Sequence, residues 1–240
     1  MSGAATAKRA EDSGRVNMFY ELESNALSTN LGNRPFIAVP PAIPKQAQSI
    51  KDLQGLEPIQ WTYKQVYDVV LQYAEWLKTE HGVHRGDIVA MSITNRPEFI
   101  FLWFAIWSLG AKAAFINTGL REEALVHCVK ASSARILVVD ASIQDAFVPE
   151  IRSHLSSAGV AIAIVDAATE NSIQNLAGYR APDKDRDGDR CSDLSVLIFT
   201  SGTTGLPKPA IVPWKKFYNS SKAMSVWMNV KPTDRYYTVR

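Results

Sequence analysis

Cysteine is scarce: Cys128 and Cys191 are the only two in 240 residues, and they stand at no metal-ligand spacing. That excludes a disulfide-stapled scaffold and a zinc-finger framework, and a reducing compartment is expected. Histidine is nearly as rare. His81, His84, His127 and His154 have no nucleophile or metal partner nearby in sequence. His127 and Cys128 share one helix pattern and read as packing rather than chemistry. Charge of one sign is lacking too, with 26 Lys and Arg against 24 Asp and Glu. No strongly basic face is expected, so nucleic acid and anionic membrane have no electrostatic case as partners.

Long apolar runs are also missing. The most apolar stretch, Phe99 to Leu109 (FIFLWFAIWSL), is too short to span a bilayer and is closed by Lys112, so it reads as a buried helix. The opening MSGAATAKRAEDSGR has no apolar h-region, which argues against a secretory signal. Residues 1–34 are expected to be a mobile arm and lead-in, and residues 35–240 one domain. No internal repeat or linker splits the chain.

What remains is strongly periodic. Thr62 with Gln65 forms a capping-box pattern, and Val66, Val70, Tyr73 and Leu77 recur at helical spacing until Gly82. Asp87–Ile93 (DIVAMSI) reads as a strand, and Pro97 suits the first turn of the apolar helix. Ala113–Ile116 is a strand candidate, Leu120–Ala131 a helix with Leu125, Cys128 and Val129 inward. Ile136–Val139 and Val160–Val165 are further strands. Strands alternating with helices, the strands continuous in apolar character, predict an α/β fold with a mostly parallel sheet covered by helices. Ala181–Asp193 (APDKDRDGDRCSD) reads as a solvated surface loop. It copies the first half of an EF-hand, but Leu194 stands where the twelfth-position Glu belongs.

The sharpest change of chemistry lies at Val196–Lys208, VLIFTSGTTGLPK. A buried strand there would deliver a donor-rich loop at its carboxyl end, where open α/β sheets bind ligands. Thr200, Ser201, Thr203 and Thr204 bring hydroxyls. Gly202 and Gly205 let the backbone turn and present N–H groups to a phosphate. Lys208 adds a point charge. One charge-assisted hydrogen bond contributes roughly 1.5–3 kcal/mol, so several could hold a polyphosphate. A kinase-type P-loop does not fit: Pro207 stands five positions after Gly202, and no Lys-Ser or Lys-Thr follows Gly205. Lys208–Pro213 (KPAIVP) suits an edge strand instead of a helix.

The block Thr200–Lys208 (TSGTTGLPK) resembles the phosphate-binding signature of the adenylate-forming, AMP-binding enzymes, a superfamily that includes the acyl-CoA synthetases. Asn95-Arg-Pro-Glu-Phe99, Ala114-Phe-Ile-Asn-Thr118 and Leu120–Cys128 are similar to its fatty-acid transport protein and very-long-chain acyl-CoA synthetase branch. The resemblance implies ATP-dependent activation of a fatty or other carboxylic acid to an acyl-adenylate and then to acyl-CoA. ATP, Mg2+ and coenzyme A are the implied cofactors, the coenzyme A site lying outside this chain. Thr200, Ser201, Gly202, Thr203, Thr204, Gly205 and Lys208 match the phosphate loop, Thr200 being also the candidate magnesium contact. The implied location is intracellular, cytoplasmic or peripheral on a peroxisomal or endoplasmic-reticulum membrane.

The sequence also departs from that pattern. Pro209 replaces the usual Gly or Ala, and the segment expected after Tyr236-Tyr237-Thr238 is replaced by Val239-Arg240. By resemblance the chain is the incomplete N-terminal domain of the fold, with no catalytic residue assignable within it. A separate chain supplying the remainder, a catalytically inactive phosphate- or partner-binding module, and a degraded gene product all stay open.

Overall fold

The computed structural model describes residues 15–40, 57–200, 205–231 and 234–235. Its centre is a six-stranded sheet in the order β6-β5-β3-β4-β7-β8. The strands are β3 (Ile88–Ser92), β4 (Lys112–Phe115), β5 (Ile136–Asp140), β6 (Ala161–Val165), β7 (Leu194–Thr200) and β8 (Lys208–Pro213). All neighbours pair in parallel except β7 with β8, which are antiparallel. A separate antiparallel pair, β1 (Pro35–Val39) and β2 (Ile59–Thr62), precedes the sheet.

The helices lie in two layers. One core cluster joins Val89, Met91, Ile136 and Val138 to the helices α1 (Phe19–Ala26), α2 (Tyr63–Thr79) and α3 (Pro97–Ser108). The other joins the alternate residues Ala90, Leu137 and Val139 to α4 (Glu122–Ala131) and α5 (Pro149–Ser157). Successive strand side chains point to opposite faces, so covering both faces demands apolar residues at every position. That is why β5 reads ILVV before the terminal Asp140 and is buried throughout. Two further helices, α6 (Ala167–Gln174) and α7 (Trp214–Trp227), follow β6 and β8.

Local sequence explains the helix starts. At α2 the Gln65 N–H donates to Thr62 Oγ1 (3.2 Å), and the Thr62 N–H donates to Gln65 Oε1 (2.8 Å). Pro97 stands in the first turn of α3, where its missing N–H costs nothing. Trp107 on that helix is fully buried, its indole N–H donating to the Ser195 carbonyl (2.9 Å) and its ring packing on Trp214 at 4.9 Å. The apolar helix is thus a core helix. No helix among the described residues is long and apolar enough to cross a membrane.

Two expectations are corrected here. The boundary at residue 35 does not hold, because α1 belongs to the main core. Phe19 is fully buried, and Asn17 ties the chain down by donating to the Trp107 carbonyl (3.0 Å) while accepting from the Phe19 N–H (3.0 Å). The expected arm over residues 1–14 lies outside the described residues. The second correction concerns residues 181–193, which are not simply solvated. Arg186 is fully buried, donating to the carbonyls of Ser108 and Ala181 and to Asp183, with its guanidinium over Phe19 (4.8 Å) and Tyr20 (5.1 Å). Gly110 makes this close approach feasible: at φ +71° any Cβ there would sit 2.0 Å from the Asp185 carbonyl oxygen.

Candidate active site

The chain order places a crevice before any side chain is considered. From β3 the chain crosses by α3 on one face to β4, then by α4 on the other face to β5, which lies on the far side of β3. Connections diverging from neighbouring strands leave an opening at their carboxyl ends, the usual ligand position in open α/β sheets. A cavity of about 790 Å³ occupies that place. It is lined after β3 by Thr94 and Asn95, after β4 by Asn117 and Thr118, and at the end of β7 by Ile198 and Phe199. Phe99 and Phe115, whose rings lie 4.9 Å apart, give it an aromatic wall. The lining is therefore amphipathic, with hydroxyl and amide groups beside aromatic and aliphatic surface.

The glycine- and hydroxyl-rich loop opens from the same end of the sheet. β7 runs buried through Ser195, Val196 and Leu197 and becomes exposed at Thr200. β8 returns antiparallel, with Thr200 directly opposite Lys208. The loop is therefore the closed end of a hairpin, which distinguishes it from a strand-to-helix P-loop. Thr200 and Lys208 are both exposed and stand side by side at its mouth. Gly205 has φ +99°, and a Cβ there would meet nothing within 4 Å, so conformation rather than space requires glycine. Ser201, Gly202, Thr203 and Thr204 lie outside the described residues. Of the sequence-derived site residues, then, Thr200, Gly205 and Lys208 are brought together at one hairpin end.

Two features of this region carry no signal in the sequence. The first is a polar brace behind the cavity. Asp140, at the end of β5, accepts from Thr94 Oγ1 (2.5 Å) and the Ser142 N–H (2.9 Å), and Arg96 Nη1 stands 3.6 Å away. Arg96 also meets Glu98 (2.6 Å) and Glu170. Burial pushes the Asp140 carboxyl up, but these hydrogen bonds and the Arg96 charge outweigh it and hold it below the usual carboxylate range. The brace fixes the Thr94–Arg96 turn that floors the cavity. Its members are far apart in sequence, so no local spacing betrays it. The second feature is His127, whose Nε2 lies 3.0 Å from the Pro207 carbonyl oxygen. Cys128 beside it is fully buried, and burial pushes its thiol up, as suits an inert core residue. Among the described residues no group of three His, Cys, Asp or Glu could hold a metal ion.

The family model for AMP-binding enzymes matches residues 44–239, which contain the hairpin loop and the cavity. The chain belongs to the AMP-binding enzyme family. It is 32% identical over 193 residues to a very long-chain fatty acid transport protein of Cochliobolus heterostrophus, covering 80% of this chain and 30% of that protein. A very long-chain fatty acid transport protein of Saccharomyces cerevisiae is 32% identical over 163 residues, 65% of this chain and 24% of the relative. The chain thus spans less than a third of these curated relatives. Among solved structures, a long-chain-fatty-acid-CoA ligase from Archaeoglobus fulgidus superposes with a TM-score of 0.70 at 18% identity, covering 92% of this chain and 41% of that one. This AMP-binding chain accordingly has the α/β architecture of an N-terminal portion of the adenylate-forming fold.

Proposed function

We propose that this AMP-binding chain contributes the polyphosphate grip of an ATP-dependent acid–thiol ligase of the fatty-acid transport and very-long-chain acyl-CoA synthetase branch. The observation that carries the reading is the pairing of Thr200 with Lys208 at the mouth of the TSGTTGLPK hairpin, beside the cavity. In such a reaction a carboxylate oxygen attacks the α-phosphorus of ATP, the bond to the bridging oxygen breaks, and pyrophosphate leaves with its charge. The acyl group then passes from the adenylate to the sulfur of coenzyme A, the acyl–phosphate bond breaking so that AMP leaves and the thiol proton is released.

The residues present suit a polyphosphate. A hydroxyl and an ammonium group at the loop mouth are donors only a few ångströms of backbone apart, and the field they provide is in place before charge develops on the leaving group. Thr200 would add one hydroxyl to a magnesium ion held chiefly by phosphate oxygens. The amphipathic cavity suits a small carboxylic acid with an apolar body, taken from the cytoplasm or from a peroxisomal or endoplasmic-reticulum membrane surface. Contacts to adenine, ribose and coenzyme A would come from residues other than these, on this chain or a second one.

Calorimetric titration of the 240-residue chain with Mg-ATP and with Mg-pyrophosphate tests the reading. Both are expected to bind, and Lys208→Ala is expected to weaken both by about tenfold or more, the value of one charge-assisted hydrogen bond. Unchanged affinity in that variant would remove the loop as the site. Equal affinity for the two ligands would favour a phosphate-binding module without an adenine pocket.

A further inference from the structure

A loop binds a polyphosphate better when both of its ends are fixed, because a donor that is not held in place must be ordered at the moment of binding. The entry is fixed by β7, whose Thr200 is in the ladder with Lys208. The exit has a second tie that lies outside the signature block. His127 stands half-buried on α4, and its Nε2 approaches the Pro207 carbonyl oxygen at 3.0 Å. A carbonyl can only accept, so Nε2 carries the proton and donates.

Pro207 is the residue before Lys208, and its carbonyl shares a rigid peptide plane with the Lys208 N–H. Holding that carbonyl sets the orientation of the plane and therefore the direction in which the Lys208 backbone leaves the loop. The helix that carries His127 is itself packed on the sheet through the buried Leu125, Cys128 and Val129. Pro207 has no N–H to make a compensating bond of its own. The tie therefore joins a rigid element to the one charged residue of the loop through a single hydrogen bond.

We infer that His127 is a positioning residue for the polyphosphate grip, orienting the Pro207–Lys208 peptide so that the Lys208 side chain meets the phosphate. This rests on the reading of the β7–β8 loop as the phosphate site. His127 does not touch the ligand; it acts through Lys208.

The test uses His127→Phe, which keeps a ring and loses the donor, and His127→Gln, which keeps an N–H at similar reach. Mg-pyrophosphate and Mg-ATP affinities are measured by calorimetry, together with hydrogen exchange of the Leu206 and Lys208 amides in the absence of ligand. His127→Phe is expected to bind pyrophosphate about fivefold more weakly, as for loss of one neutral hydrogen bond, and to exchange faster at both amides. His127→Gln is expected to restore most of both. A Phe variant that binds like the wild type overturns the positioning role alone, even if exchange is faster, because His127 is then only a structural tie. Failure of Gln to recover affinity, with its melting temperature unchanged, overturns it as well. Wild-type protein that binds neither ligand overturns the phosphate reading and the positioning role together.

Discussion

Asp140 shows how a single buried carboxylate can hold a turn in register. Its side chain is 3% exposed, a costly place for a charge unless partners replace the lost water. Thr94, the Ser142 backbone and Arg96 do so, and they keep the folded-state carboxyl below its ordinary range. A carboxylate depressed in the folded state stabilises the protein above its unfolded pKa of about 4, and that contribution is lost as pH falls through the folded value. Asp140→Asn is expected to lower the unfolding free energy at pH 7 by about 1–3 kcal/mol, since the hydrogen bonds from a charged acceptor are lost. The difference from wild type should shrink steadily below about pH 4, where the unfolded-state carboxyl takes up a proton while the native one still has to give up its charge, and vanish once pH has fallen through the depressed folded value. Chemical denaturation at pH 7, 5 and 3.5 checks both parts. A difference that stays constant across that range would mean that the Asp140 charge is not what stabilises the turn.

At the scale of elements, the sheet was legible and its surroundings much less so. DIVAMSI and ILVV coincide with β3 and β5 because a strand buried on both faces must be apolar throughout, a signal that needs no knowledge of neighbours, and the apolar run VAIAIV marks β6 although that strand is only partly covered. The capping box of α2 and the proline start of α3 were readable for the same reason, since each is decided within four residues. β1 is half-exposed and so lacks a clean pattern, and α1 is only eight residues long. The candidate site was legible as far as its chemistry is local. The TSGTTGLPK block announces its donors, whereas the cavity and the Asp140 brace exist only once β3, β4, β5 and β7 lie side by side.

The loop at 181–193 is the instructive miss. Alternating Asp and basic residues read as a solvated face, and nothing in that pattern tells which Arg turns inward. Besides Ala181 and Asp183 within the loop, Arg186 meets the Ser108 carbonyl and the rings of Phe19 and Tyr20, which are distant in sequence. Around it Arg180 bridges to Glu23 (2.6 Å) and Arg15 to Asp183 (2.8 Å), so the loop straps α1 to the core. Arg186→Ala is expected to cost on the order of 3 kcal/mol, combining unpaired buried acceptors with a cavity. The loss should be local before it is global, because the Arg186 guanidinium packs directly on Phe19 and Tyr20 of α1. Hydrogen exchange over Phe19–Ala26 is therefore expected to accelerate more than over α2. Equal acceleration in both helices would contradict the strap.

For the molecule as a whole, the decisive asymmetry lies at the β8–α7 end. Among the described residues β8 is an edge strand whose Ile211 is 69% exposed, and the end of α7 leaves Val226, Trp227 and Met228 largely in water. Exposed apolar surface of this kind, beside an edge, favours association. The same region is one-sided in charge. From Leu194 to Thr233 the sequence holds five lysines, Lys208, Lys215, Lys216, Lys222 and Lys231, and no acidic residue. Two copies approaching through this end would bring like charges together, and salt screens that repulsion over a Debye length of about 10 Å at 0.1 M. Association is therefore expected to be stronger at 0.5 M than at 0.05 M sodium chloride, the reverse of a salt-bridged contact. Trp227→Ser, which removes the most exposed large apolar side chain among the described residues, should return the sedimentation coefficient to that of a monomer at both ionic strengths. A Trp227→Ser chain that still associates, or association that weakens with salt, would place the contact on a different and oppositely charged surface.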